Sequence, residues 1–204
     1  MSPAIKITKE EINDLPLNAY EGPVTIVDND EKLAMALQEL KKEKILGFDT
    51  ESRPSFKKGQ TYPASLIQLG GQHQIWLFQI NNFASLDALW DVLADEKIIK
   101  AGVAIADDIK KLQELQDFTP GGFVEIATLS TQAGILNTGL RSLAALLLGF
   151  RISKRAQVSN WARSTLSDIQ IQYAATDAWV SRELYLHMQQ LSQRPDGVSR
   201  TASS

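Results

Sequence analysis

A chain of 204 residues, 44% hydrophobic and 22% charged, is long enough to close one real hydrophobic core and too short for two comfortable ones. No apolar run approaches the roughly 18 residues of a membrane span, and the opening Met1-Ser-Pro-Ala-Ile-Lys lacks the apolar stretch of a secretory signal. The absence of cysteine excludes a disulfide framework and thiolate metal sites, which suits an intracellular, cytoplasmic protein; with only His73 and His187, metal chemistry must use oxygen ligands and hence hard cations such as Mg²⁺ or Mn²⁺.

A polar opening with a capping-box pattern, Thr8 to Glu11, leads to a short strand at Val24-Thr-Ile-Val. Asp28 to Lys44 reads as a helix, with Leu33, Met35, Ala36, Leu37 and Leu40 on its apolar side. Three strand-like runs follow: Ile45-Leu-Gly-Phe-Asp-Thr-Glu, Ala64-Ser-Leu-Ile-Gln-Leu and Gln74-Ile-Trp-Leu-Phe. The turn signal Gly70-Gly71 makes a hairpin of the last two. A helix near Ala84 to Ala94, a strand through Ile98-Ile-Lys-Ala-Gly-Val and a helix from about Asp107 to Leu115 come next. Beyond Gly121-Gly122 the pattern is mainly helical and ends in a long helix from about Ser167 to Leu191. Strands with interleaved helices, then a helical half, predict an α/β fold with a mixed sheet. Residues 1–23 read as an N-terminal extension, 24–193 as the domain, and 194–204, small and polar, as a disordered tail.

The net charge of −3 is unevenly spread. From Ile126 through Ser167 there is no Asp or Glu, while Arg141, Arg151, Lys154, Arg155 and Arg163 make that stretch +5 and leave the rest at −8. Such a face draws a polyanion locally, or is an ordinary solvated surface.

Three groups of acids stand out. Asp49 and Glu51 end a strand that otherwise reads Ile45-Leu-Gly-Phe; being two apart, they share a face and repel each other unless a cation, a proton or solvent intervenes. In the last helix Tyr173, Asp177, Val180, Leu184, Met188 and Leu191 recur at three- and four-residue intervals. Asp177 therefore interrupts an apolar stripe, where a carboxylate needs a partner, and Tyr173 lies one turn before it on the same face. Asp107 and Asp108 follow a buried-strand pattern at a helix start, where acids also serve as caps. Taken singly, each has a structural explanation. Together they could converge on one cleft, and two divalent ions about 3.5–4 Å apart, bridged by carboxylates, are a known solution for phosphodiester cleavage.

These residues match a family. Gly47-Phe-Asp-Thr-Glu, with Ala64-Ser-Leu-Ile-Gln-Leu, resembles the first motif of the DnaQ-like 3′→5′ exonucleases. Gly102-Val-Ala-Ile-Ala-Asp-Asp-Ile-Lys-Lys-Leu112 resembles the second, and Tyr173-Ala-Ala-Thr-Asp177 the third, in the version with tyrosine four residues before the last aspartate. The nearest branch is that of ribonuclease D and the Werner syndrome exonuclease domain, with added similarity at Phe123-Val-Glu, Leu140-Arg-Ser-Leu-Ala and Ser159-Asn-Trp161. The resemblance covers roughly Val24 to Leu191.

It implies a ribonuclease H-like fold, with a mixed sheet flanked by helices, and hydrolysis at the 3′ end of DNA or RNA to nucleoside 5′-monophosphates. By resemblance Asp49, Glu51, Asp108 and Asp177 hold two divalent metals, Mg²⁺ or Mn²⁺, and Tyr173 orients the attacking water. Asp108 fits better than Asp107 because the family's aspartate stands four residues before a leucine, here Leu112; Asp107 is then expected to be a helix cap. The histidine variant would need histidine where Gln172 stands. Nucleic-acid contacts are expected from Thr50, Lys57, Lys58, Arg151, Lys154 and Arg155, with Trp161 a packing residue and His187 an ordinary helix residue. No helicase segment or extra helical domain of the ribonuclease D kind is seen, so a stand-alone nuclease domain is expected. Two competing readings are a non-catalytic nucleic-acid-binding module, which would not need all four acids and Tyr173, and a ribonuclease H-like endonuclease, which the tyrosine-spaced third motif disfavours.

Overall fold

The structure, a computed structural model, describes residues 5–57 and 59–192, so Lys58 and the expected tail at 194–204 lie outside the described residues. Strands β1 (Val24–Val27), β2 (Ile45–Ser52), β3 (Ala64–Gly70), β4 (Ile75–Gln79), β5 (Ile99–Gly102) and β6 (Phe123–Glu125) form one mixed sheet in the order β1-β4-β3-β2-β5-β6. β2–β3 and β3–β4 are antiparallel, while β1–β4, β2–β5 and β5–β6 are parallel.

Both faces of the sheet are covered, which is why β3 and β4 are buried at every position. Leu46, Phe48, Ile67, Leu69, Trp76 and Phe78 point to one side, where α2 (Asp30–Leu40), α3 (Asp87–Ala94) and α4 (Ala106–Leu115) supply Leu37, Leu40, Leu89, Leu93 and Leu112. Leu66, Ile75 and Leu77 point the other way, onto Ala174, Ala175 and Ala178 of α7 (Asp168–Ser192). The β5 side of that face packs Ala101 with Ile126 of α5 (Ile126–Gln132), Leu143 of α6 (Leu140–Leu143), and Val180 and Leu184 of α7.

Helix α7 lies unusually close to the sheet because glycines make room for it. Gly47 and Gly70 are register partners, and a side chain on either would run into the backbone of Ala178. Gly70, read as a turn signal, is thus also part of a helix seat.

Several expectations need correction. Helix α2 is shorter than Asp28 to Lys44: Asn29 caps its start by accepting from Lys32 N–H at 3.0 Å, and Asp28 pairs with Lys32 outside it. The half beyond Gly122 is mainly helical, as expected, but it opens with the short strand β6 and holds a π-helical turn at Ala144–Leu148 that ends at Gly149 (φ 76). Residues 149–167 form no α-helix before α7 begins. The Thr8–Glu11 capping box does start a helix, α1 (Lys9–Asp14). From Ile5 onward the N-terminal extension lies against the domain: Ile5 bridges to Ile135, Leu17 to Arg151, and Tyr20 N–H donates to Thr176 Oγ1 at 3.0 Å. Among the described residues no helix is long and apolar enough to cross a membrane.

Candidate active site

The glycine seat positions the acids. Asp49 and Glu51 continue the α7-facing row of β2 beyond Gly47, and Asp177 immediately precedes the Ala178 that rests on that glycine. Asp49, Glu51, Tyr173 and Asp177 consequently line one pocket of about 370 Å³, together with Ser181 and Gln157. A shift of register between Glu51 and Ser52 ends the regular ladder at the pocket's edge.

Asp108 arrives from α4, on the opposite side of β2, and does not line that pocket. Thr50, alternating away from Asp49, donates its hydroxyl to Asp108 Oδ1 at 2.6 Å. The loop before α4 is fixed from β6: the Glu125 carboxylate accepts from the N–H groups of Ala104, Ile105 and Ala127, each at 2.9 Å. Ala104 is left-handed (φ 60), a costly conformation for a residue with a side chain, and Glu125 holds it there. Asp107 is not the expected cap; it is exposed in the first turn of α4, whose N-cap is Ile105.

The acids act on one another. Burial holds Asp49 well above the usual carboxylate range, and the charges of Asp177 and Asp108 push it the same way. Glu51 is pushed up to about 9, first by burial and then by Asp49, Asp177 and Asp108. Burial lifts Asp177 to about 7 against a hydrogen bond with Tyr173. Asp108 is raised by burial against the Thr50 hydroxyl and Lys111. The Tyr173 phenol is raised by burial and then by Asp177, Glu51 and Asp49, which keeps it protonated. Lys111 pulls Asp49, Glu51 and Asp108 downward. Sequence reasoning passed over Lys111, although its place three residues after Asp108 on a helix was a usable signal.

Four carboxylates whose pKa values are raised, all by burial and Asp49 and Glu51 also by the neighbouring acids, form an all-oxygen donor set, which fits hard divalent cations. Among the described residues no three such groups stand close enough, as they are, to hold an ion.

A second pocket, of about 540 Å³, meets the first at Tyr173 and is lined by Arg141, Arg151, Lys154 and Arg155 with no carboxylate. Four of the five bases of the acid-free segment therefore converge; Arg163 is not among the lining residues. Arg151 Nε donates to Leu15 O at 3.0 Å and an Arg141 guanidinium nitrogen to Asn13 Oδ1 at 2.8 Å, whereas Lys154 and Arg155 are exposed. Lys57 is exposed on the loop after β2 and lines neither pocket. Thr50 was expected at the substrate, but it is buried and its hydroxyl serves Asp108. Trp161 packs in the core with its ring 5.8 Å from that of Tyr173, and His187 lies partly buried in α7.

The chain is similar to a 3′-5′ exonuclease of Arabidopsis thaliana, 30% identical over 162 residues, which are 76% of this chain and 55% of that protein. It is also similar to ribonuclease D of Haemophilus influenzae, 32% identical over 146 residues, or 69% and 35% of the two chains. The chain thus spans about half or less of these curated relatives' lengths. Its fold is similar to the crystal structure of the Aedes aegypti Nibbler EXO domain, with a TM-score of 0.78 at 24% identity over 89% of this chain and 94% of that one. A family model described as 3′-5′ exonuclease matches residues 24–193, and with the sheet order and the converging acids already in place, the chain belongs to the 3′-5′ exonuclease family.

Proposed function

We propose that the chain hydrolyses the last phosphodiester bond at the 3′ end of a DNA or RNA strand and releases nucleoside 5′-monophosphates. The observation that carries this reading is the meeting of Asp49, Glu51 and Asp177 with a protonated Tyr173 in one pocket, next to a cationic one. Asp49, Glu51, Asp108 and Asp177 would hold two divalent cations, Mg²⁺ or Mn²⁺, which when bound activate water and stabilise charge on the leaving 3′ oxygen. Thr50 and Lys111 steady Asp108 for that task. Tyr173 cannot be the base, because even an ordinary phenol, at about 10, holds its proton at neutral pH; it orients the water by hydrogen bond. Lys154 and Arg155 are exposed at the cationic pocket and would meet phosphates upstream of the scissile bond, with Arg151 adding charge and Lys57 a further contact.

The test is digestion of 5′-labelled DNA and RNA oligonucleotides, single- and double-stranded, with Mg²⁺ or Mn²⁺ and with EDTA. The expected result is stepwise shortening with mononucleotide product, abolished by EDTA. Internal fragments would instead indicate an endonuclease, and binding without cleavage a non-catalytic module.

A further inference from the structure

Gln68 is fully buried, and neither its Oε1 nor its Nε2 has a hydrogen-bond partner. It belongs to the row of β3 that faces α7, between Leu66, which packs on the α7 alanines, and Gly70, which lies under Ala178. Its register partners are Leu77 on β4 and Asp49 on β2. Side chains directly opposed on antiparallel strands share a face, with Cβ atoms about 4.5–5.5 Å apart. The polar neighbour across the ladder is therefore the Asp49 carboxylate.

Packing does not account for an amide at this position. An apolar side chain of similar length would fill the space without stranding a donor and an acceptor in the core. Asp49 already accepts one hydrogen bond, from Thr50 N–H at 2.8 Å, and a second donor would fix its plane. We propose that Gln68 is a positioning residue for Asp49: Nε2–H donates to the carboxylate as it closes on the cations and sets which oxygens face them. This rests on the metal-dependent nuclease reading given above. Removing the outer partner of a metal-ligating group typically weakens metal affinity about 10- to 100-fold.

The experiment compares wild type, Gln68→Met and Asp49→Asn in the full chain, by thermal melting without metal, by Mn²⁺ binding (calorimetry and the spin-resonance signal of free Mn²⁺) and by nuclease rate against Mn²⁺ concentration. For Gln68→Met the expected result is a metal-free melting temperature equal to or above wild type, with Mn²⁺ affinity about 10- to 100-fold weaker. The Mn²⁺ needed for half-maximal rate should rise in step, while the rate at saturating Mn²⁺ recovers. Unchanged Mn²⁺ affinity in a folded Gln68→Met protein overturns the role of Gln68 alone, provided wild type binds Mn²⁺ and Asp49→Asn does not. Absence of Mn²⁺ binding by wild type overturns the nuclease reading and this proposal together. Gln68→Leu gives the same readings should methionine pack badly, and unfolding of both variants would make Gln68 a packing residue and overturn the proposal.

Discussion

Tyr173 is defined by its surroundings: its phenol is partly buried beside the carboxylates of Asp177, Glu51 and Asp49, and its ring packs against that of Trp161. A phenol that cannot ionise can still hold a water in line. A hydrogen bond to a charged or charge-developing group is worth about 1.5–3 kcal/mol, and each 1.4 kcal/mol is about tenfold in rate. Tyr173→Phe should therefore slow turnover by about 10- to 100-fold while leaving Mn²⁺ affinity nearly unchanged, as steady-state kinetics and calorimetry would read; an unchanged rate would remove the assignment. The residues legible in the sequence were those whose anomaly is local. Asp49 and Glu51 crowd one strand face and Asp177 interrupts an apolar helical stripe, whereas only the resemblance to the family's second motif told Asp108 from Asp107. Thr50, Gln68 and Glu125 were not legible in these roles, because each takes its meaning from a partner that only the sheet brings near: Asp108, Asp49 and the Ala104 turn.

Strands β2 to β5 and the long α7 follow the sequence pattern closely, because period and turn residues agree there. β6 did not emerge, since Phe123-Val-Glu is too short to show alternation and exists by pairing with β5. The helical-looking run at Ala144–Leu148 becomes a single π-helical turn, decided by packing against α7 rather than by propensity. The seat under α7 couples elements to chemistry, for the helix that carries Asp177 and Tyr173 rests on Gly47 and Gly70. Gly47→Ala places a methyl against the Ala178 backbone, so the helix must lift. The expected cost is about 1–3 kcal/mol in urea unfolding, with a raised Mn²⁺ requirement because Asp177 leaves Asp49. Gly139→Ala meets nothing nearby and keeps an ordinary φ of −73, so it should cost only the poorer N-cap of α6, about 0.5–1 kcal/mol, without raising the Mn²⁺ requirement.

For the whole molecule, the raised carboxylates link folding to pH. Glu51 at about 9 and Asp177 at about 7 in the folded chain stand against about 4 when unfolded, so between these values the folded state holds more protons. Their contribution to stability is complete below about pH 4 and is lost as pH rises through the folded values. Buried Lys100, lowered to about 8, opposes this only above that pH, because there the unfolded chain holds the extra proton. The melting temperature in EDTA should thus fall from about pH 5 to about pH 8. Saturating Mn²⁺, binding only the folded state, should raise it and flatten the slope. Asp49→Asn should melt higher than wild type in EDTA, and a melting temperature that climbs across that window would refute the shared acid pocket. The cationic pocket has a different dependence. Leu17, Asn18 and Ala19 form part of its wall, Arg151 exchanges backbone hydrogen bonds of 2.9 Å with Pro16 and Asn18, and all of these except Arg151 precede residue 24, where the family match starts. A protein trimmed to the shared family core would keep Asp49, Glu51, Asp108 and Asp177 yet lose part of the wall of the cationic pocket; under the proposed function, truncation alone should therefore weaken substrate binding more than it slows hydrolysis.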